Sequence, residues 1–118
     1  MHEMTQHYLI CALWSSTDNT TPQGGEPLDA NYSLDDIAPE SLEQAERDCL
    51  AFLEAHEELI AGQYQRAGHD FWLTRNRHGA GFWDGDWEEA TGDALTVASY
   101  TYRELTPIVG DDGLIYFE

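Results

Sequence analysis

The chain contains no lysine, and its only cations are five arginines: Arg47, Arg66, Arg75, Arg77 and Arg103. Proteins that bind nucleic acid neutralise phosphates with a stripe of Lys and Arg. Five scattered arginines cannot supply one, which argues against direct contact with DNA or RNA. The same shortage argues against an anionic membrane surface, and no run approaches the ~18 apolar residues of a membrane-spanning helix. Met1-His2-Glu3 lacks the positive start and apolar stretch of a secretory signal, so the expected setting is the cytoplasm, here of a host cell. Cysteine is scarce too. Cys11 and Cys49 lie in an apolar run and on the apolar side of a helical pattern, which predicts two buried thiols rather than a disulfide.

What the chain has in excess is acid: 23 Asp and Glu among 118 residues, for a formal net charge of -18. Disorder does not follow, because 42% of the residues are hydrophobic and 12% aromatic, unlike the aromatic-poor composition of disordered acidic segments. The length suits one domain over residues 1–118.

The unalternating run from Tyr8 to Trp14 predicts a central strand covered on both faces. Residues 15–34, rich in Gly, Pro, Asn, Thr and Ser, predict a long polar loop. Pro39-Glu40-Ser41 opens a helix expected to reach Ile60 and stop at Gly62. Its apolar residues, Leu42, Ala45, Cys49, Phe52, Leu53, His56, Leu59 and Ile60, share an arc of roughly 120°, with Glu40, Glu43, Glu46, Glu54, Glu57 and Glu58 on the other side. A second helix is expected from Gln63 to Thr74, weakened by Gly68, and a third from Glu88 to Tyr102. Two short strands, Leu105–Val109 and Leu114–Phe117, flank a Gly-Asp-Asp-Gly turn, with Pro107 marking an edge. The expected fold is α+β: a small antiparallel sheet of about three strands with two or three helices packed on it.

Chemistry-bearing motifs are weak. His69, Asp70 and His78 have the residue types of a base with its orienter or of metal ligands, but their spacing matches no zinc pattern. Ser15, Ser16 and Thr17 supply hydroxyls and nothing more. Asp84-Gly-Asp-Trp-Glu-Glu89 begins like a calcium loop, yet Glu89 stands where the invariant glycine belongs and Leu95 at the bidentate position. Gly79, Gly81 and Gly85 form no phosphate-loop pattern. Trp72, Phe82, Trp83 and Trp87 lack the cations of a base-stacking platform and read as core or interface. No enzyme activity, cofactor or metal is expected.

The charge is the informative feature, since a small domain is well served by a net charge of about 2–8 and larger values add self-repulsion. One explanation is DNA mimicry. Glu43, Glu46, Glu54, Glu57 and Glu58, extended by Asp84, Asp86, Glu88 and Glu89, would face a host DNA-binding or defence protein through its cationic groove. The other is a housekeeping or structural protein adapted to a saline host, which the absence of lysine suits. Either protein could be a homodimer.

Four stretches resemble a group of small uncharacterised proteins of tailed bacteriophages and prophages: Ala12–Asn19, Gly24–Asp29 with Asn31–Ser33, Ala67–Asn76 with His78–Asp84, and Val109–Gly113. Within the third, Arg77 stands where a smaller residue is expected, which implies a different local turn. The resemblance implies a phage or mobile-element context and carries no activity or site residues. In charge and size the chain is also similar to phage-encoded DNA mimics that block restriction enzymes, CRISPR complexes or uracil-DNA glycosylase.

Overall fold

The computed structural model describes residues 1–18, 20 and 25–118. The fold is α+β, and helices dominate it. Four α-helices, α1 (Glu3–Ser15), α2 (Pro39–Ile60), α3 (Tyr64–Arg75) and α4 (Glu89–Ser99), are joined by two antiparallel pairs, β1 (Thr17–Asp18) with β2 (Glu26–Pro27) and β3 (Pro107–Val109) with β4 (Ile115–Phe117). In place of one sheet of about three strands there are two separate two-stranded ribbons.

The expected central strand is instead part of α1. An all-apolar run cannot distinguish a buried strand from a buried helix by periodicity. Here Met4, Tyr8, Leu9, Cys11 and Ala12 point inward at helical spacing, while Ile10 and Trp14 face solvent, Trp14 with 58% of its surface exposed. Apolar residues on the solvent side erased the amphipathic signature. The helix is started by His2, whose Nδ1 accepts the Met4 N–H at 3.0 Å.

Helix α1 lies directly on α3 at Gly68, where a Cβ would run into the main chain of α1 at Met4 and Tyr8. The glycine expected to weaken α3 thus permits the close approach of α1 and α3. Residues Phe71 to Arg75 of α3 are all buried, so this helix has no solvent stripe along its second half. Phe52 of α2 stacks on Phe71 (4.2 Å) and Phe82 (5.8 Å), forming the aromatic centre of the core.

Helix α2 has the predicted bounds. Ala45, Cys49, Phe52, Leu53 and Ile60 are buried, and Leu42 and Leu59 partly so. It kinks at His56 (φ -130°, ψ 24°) and ends with Ala61 and Gly62 in left-handed conformations. Residues 15–34, expected to form one polar loop, hold the last residue of α1, the β1–β2 pair and a 3-10 turn, Leu28–Ala30, and a second such turn, Leu34–Asp36, starts at their end; residues 19 and 21–24 lie outside the described residues. Arg77 occupies a left-handed turn (φ 55°) just beyond α3.

The C-terminal hairpin forms in the expected place, with Ile108 opposite Tyr116. Strand β3 pairs only with β4, so Pro107 sits on an edge as anticipated. The other side of β4 is met by Ala38, whose N–H donates to the Ile115 carbonyl at 2.9 Å, and Ser41 Oγ accepts the Phe117 N–H at 3.1 Å. These bonds seat the hairpin on the start of α2.

Candidate functional site

The carboxylates expected to bind a partner divide into two groups and one outlier. Glu43, Glu54, Glu57 and Glu58 are exposed on α2. Phe52 is nine residues from Glu43, which at about 100° per residue puts them on opposite sides of the helix, about 180° apart. The side chains that stack on Phe52 include Phe82, and Phe82 in turn packs against Trp87 at 5.4 Å. The segment carrying Asp84, Asp86, Glu88 and Glu89 therefore lies on the inward side of α2. These four exposed acids do not extend the row on its outer side.

That outer row is also interrupted. Glu43, Arg47, Leu50 and Glu54 follow one another at helical spacing, so a cation and an apolar residue with 41% exposure stand between the two acids. The outlier is Glu46. It is half-buried, with Oε1 accepting the His2 N–H at 3.1 Å and Oε2 enclosed without a hydrogen-bond partner. It serves the start of α1 and leaves the solvent row.

In the 84–89 segment, Asp84 Oδ2 accepts the Gly81 N–H at 3.2 Å and Glu88 Oε2 accepts the Thr91 hydroxyl at 3.0 Å. Arg66 reaches the Asp86 carbonyl at 2.9 Å and lies over the Trp87 ring. The acids here shape a loop as well as charging it.

The arginines hardly offset the charge. Among the described residues, Arg75 pairs with Asp48 at 2.9 Å and Arg77 with Glu104 at 3.5 Å. Arg75, 1% exposed, also donates to the Tyr8 hydroxyl at 3.2 Å and twice to the Arg103 carbonyl, at 3.0 and 2.7 Å. Its guanidinium lies against the Phe71 and Tyr102 rings. Nothing in the local sequence marks it, because its partners come from α1, α2 and the 103 turn. One of five cations is thus withdrawn into the core.

The His and Asp candidates are only partly assembled. His69 Nδ1 lies 3.1 Å from Asp70 Oδ1, and the Trp87 indole N–H donates to Asp70 Oδ2 at 2.7 Å. Burial pushes the Asp70 carboxyl above its ordinary range, against the opposing effect of the Trp87 and His69 bonds. His78 stands apart, in a polar cleft of ≈ 290 Å³ shared with Ser15, Ser16, Thr17, Asn76 and Glu104. The Ser15 hydroxyl is occupied, donating to the Cys11 carbonyl at 2.7 Å and accepting from Trp72 Nε1 at 2.9 Å. Among the described residues no three His, Cys, Asp or Glu side chains are placed to hold a metal ion. Trp72, Phe82 and Trp87 are core residues, and Trp83 is exposed.

Both cysteines are free and buried, Cys11 on α1 rather than a strand and Cys49 on α2; burial pushes the Cys11 thiol up to about 12 and raises that of Cys49 as well. No helix is long and apolar enough to cross a membrane, among the described residues. Comparison of the chain with protein-family models, with curated proteins and with solved structures finds no match.

Proposed function

We propose that this chain is a non-enzymatic acidic protein of phage origin that occupies the cationic nucleic-acid site of a host defence or DNA-processing protein, in the manner of an anti-CRISPR or anti-restriction inhibitor. The observation that supports this reading is the state of the acids: of 23 Asp and Glu side chains, two pair with arginine among the described residues. A cationic groove offers those carboxylates the counter-charge that the chain itself lacks. Glu54, Glu57 and Glu58, exposed on either side of the His56 kink beyond the Leu50 interruption, supply the densest part of the outer row. Carboxylates three or four residues apart are about 5–6 Å from one another, a spacing that one Arg/Lys array can span.

The test is competition. A partner captured from host lysate at low salt should lose its DNA as the chain is added, and should regain it when Glu54, Glu57 and Glu58 are changed to lysine. A partner that still holds DNA at saturating protein refutes the reading.

A second reading, a phage housekeeping or structural protein acidified to suit a saline host, is favoured by the complete absence of lysine. Stability against salt separates the two. A salt-adapted protein unfolds in dilute buffer, whereas a mimic folds there and releases its partner as salt rises.

A further inference from the structure

An open depression of ≈ 610 Å³ lies where the starts of α1 and α2 meet the C-terminal hairpin. Leu34, Ile37, Pro39, Leu42 and Leu114 line it together with Met1. The polar residues that line it, Gln6 and Asp35, are both exposed. Acids lie in it or next to its lining residues along the chain. Asp35 lines it directly, Asp36 precedes Ile37, and Glu43 follows Leu42 on α2. Asp112 holds the turn before Leu114, accepting the Leu114 N–H at 3.0 Å and the Tyr116 hydroxyl. No arginine lines the depression.

We propose that this depression is a docking site for a basic amphipathic helix of another protein, apolar side down on the leucines and Lys/Arg against the acidic rim. The volume falls in the ~300–1,000 Å³ range of binding clefts, but polar groups that would orient a small molecule do not converge on it. A second copy of this chain would bring rim acids against rim acids. Strand addition is blocked as well: Ala38 bonds the outer side of β4, and the outer edge of β3 holds Pro107, which has no N–H to donate. A helix laid in the groove needs neither edge. Apolar contact with the floor and charge contact with the rim together call for a patterned cation, not merely a cationic chain.

The inference shares Glu43 with the charge-mimic reading, but that reading is tested at Glu54, Glu57 and Glu58, so either can fail without the other. The probe is a fluorescent leucine–lysine peptide about 15 residues long, roughly four helical turns, ordered so that its leucines share one face. A scrambled peptide of the same composition is the comparison. At near-physiological salt the ordered peptide should bind about tenfold more tightly. The double substitution Leu34→Ser and Leu114→Ser should reduce it to the level of the scrambled one, and Asp35→Asn should weaken both. Neutralising Glu54, Glu57 and Glu58 to Gln should leave the preference intact. Equal binding of the two peptides overturns the proposal, as does a preference that survives the serine variant or disappears with the α2 variant. If the serine variant does not fold, a photo-crosslinker on the peptide's apolar face decides on the wild-type chain: labelling within 34–42 or at 114 supports the site, and labelling elsewhere sinks it.

Discussion

Gly68→Ala offers a test in which local and tertiary physics predict opposite signs. In a helix interior alanine is better than glycine by about 1 kcal/mol, so α3 taken alone gains from the change. In the folded chain the new Cβ collides with the Met4 carbonyl oxygen and lies 2.9 Å from Tyr8 N and 3.0 Å from Met4 C. All three atoms are main chain, so no rotamer change relieves the contact. Carbon contacts are favourable at about 3.5–4.0 Å, so α1 and α3 must part by about 1 Å, and the packing of Tyr8 on Phe71 and Trp72 loosens with them. Overpacking of this kind costs about 1–3 kcal/mol, and with only backbone to yield the upper end applies. After the propensity gain, a net loss of about 2 kcal/mol is expected, or roughly 8 °C in Tm for a chain of this size. Urea unfolding followed by circular dichroism reads it as a lower midpoint at unchanged slope. Gly62→Ala is the control: at φ 80° with no atom near its Cβ, it should lose only about 1 kcal/mol from left-handed backbone. A G68A protein as stable as wild type, or more so, would refute the account of the α1–α3 contact.

Arg75→Ala should lose about 3 kcal/mol in the same denaturation assay, because it strands the Arg103 carbonyl, the Tyr8 hydroxyl and Asp48 in or near the core; a loss below 1 kcal/mol would mean that the network is dispensable. Neither Cys11 nor Cys49 should react with Ellman's reagent in the native protein, and both should react in urea; native labelling would contradict their burial. Asp70 has its folded pKa raised by burial, so protonation favours the native state: its contribution is present below the unfolded pKa and is lost as pH rises through the folded one. Relative to Asp70→Asn, wild type should therefore gain stability as pH falls from neutrality into the carboxylate range; a pH-independent difference would remove the desolvation argument. In the binding assay, Arg47→Glu, which fills the interruption in the outer row of α2, should tighten association with a cationic partner and steepen its salt dependence; no change would show that the row is not the contact surface.

Helix α2 was legible because its apolar residues recur at helical spacing and its acids do not, so burial on one side is dictated before any partner is known. The hairpin was legible for the same kind of reason, since Gly110–Gly113 can only be a turn between two β-branched and aromatic stretches. Helix α1 was not: Ile10 and Trp14 are apolar yet face outward, and a pattern reader has no way to see that. The interruption at Arg47 and Leu50 could have been read from the same projection that assembled the acids. Glu46 could not, because its capture by the His2 N–H depends on where α1 crosses α2.

The residues alone determine the charge, the poverty of cations, the buried thiols and the amphipathic span from Pro39 to Ile60, all properties of composition or of spacing within one element. Tertiary structure alone decides which acids share a face, that Arg75 is spent inside the core, that Gly68 is a contact point, and that leucines from three separate segments adjoin in one open depression. Each of these depends on the direction in which one element crosses another. That direction is set by the packing of all the elements together, and no local pattern contains it.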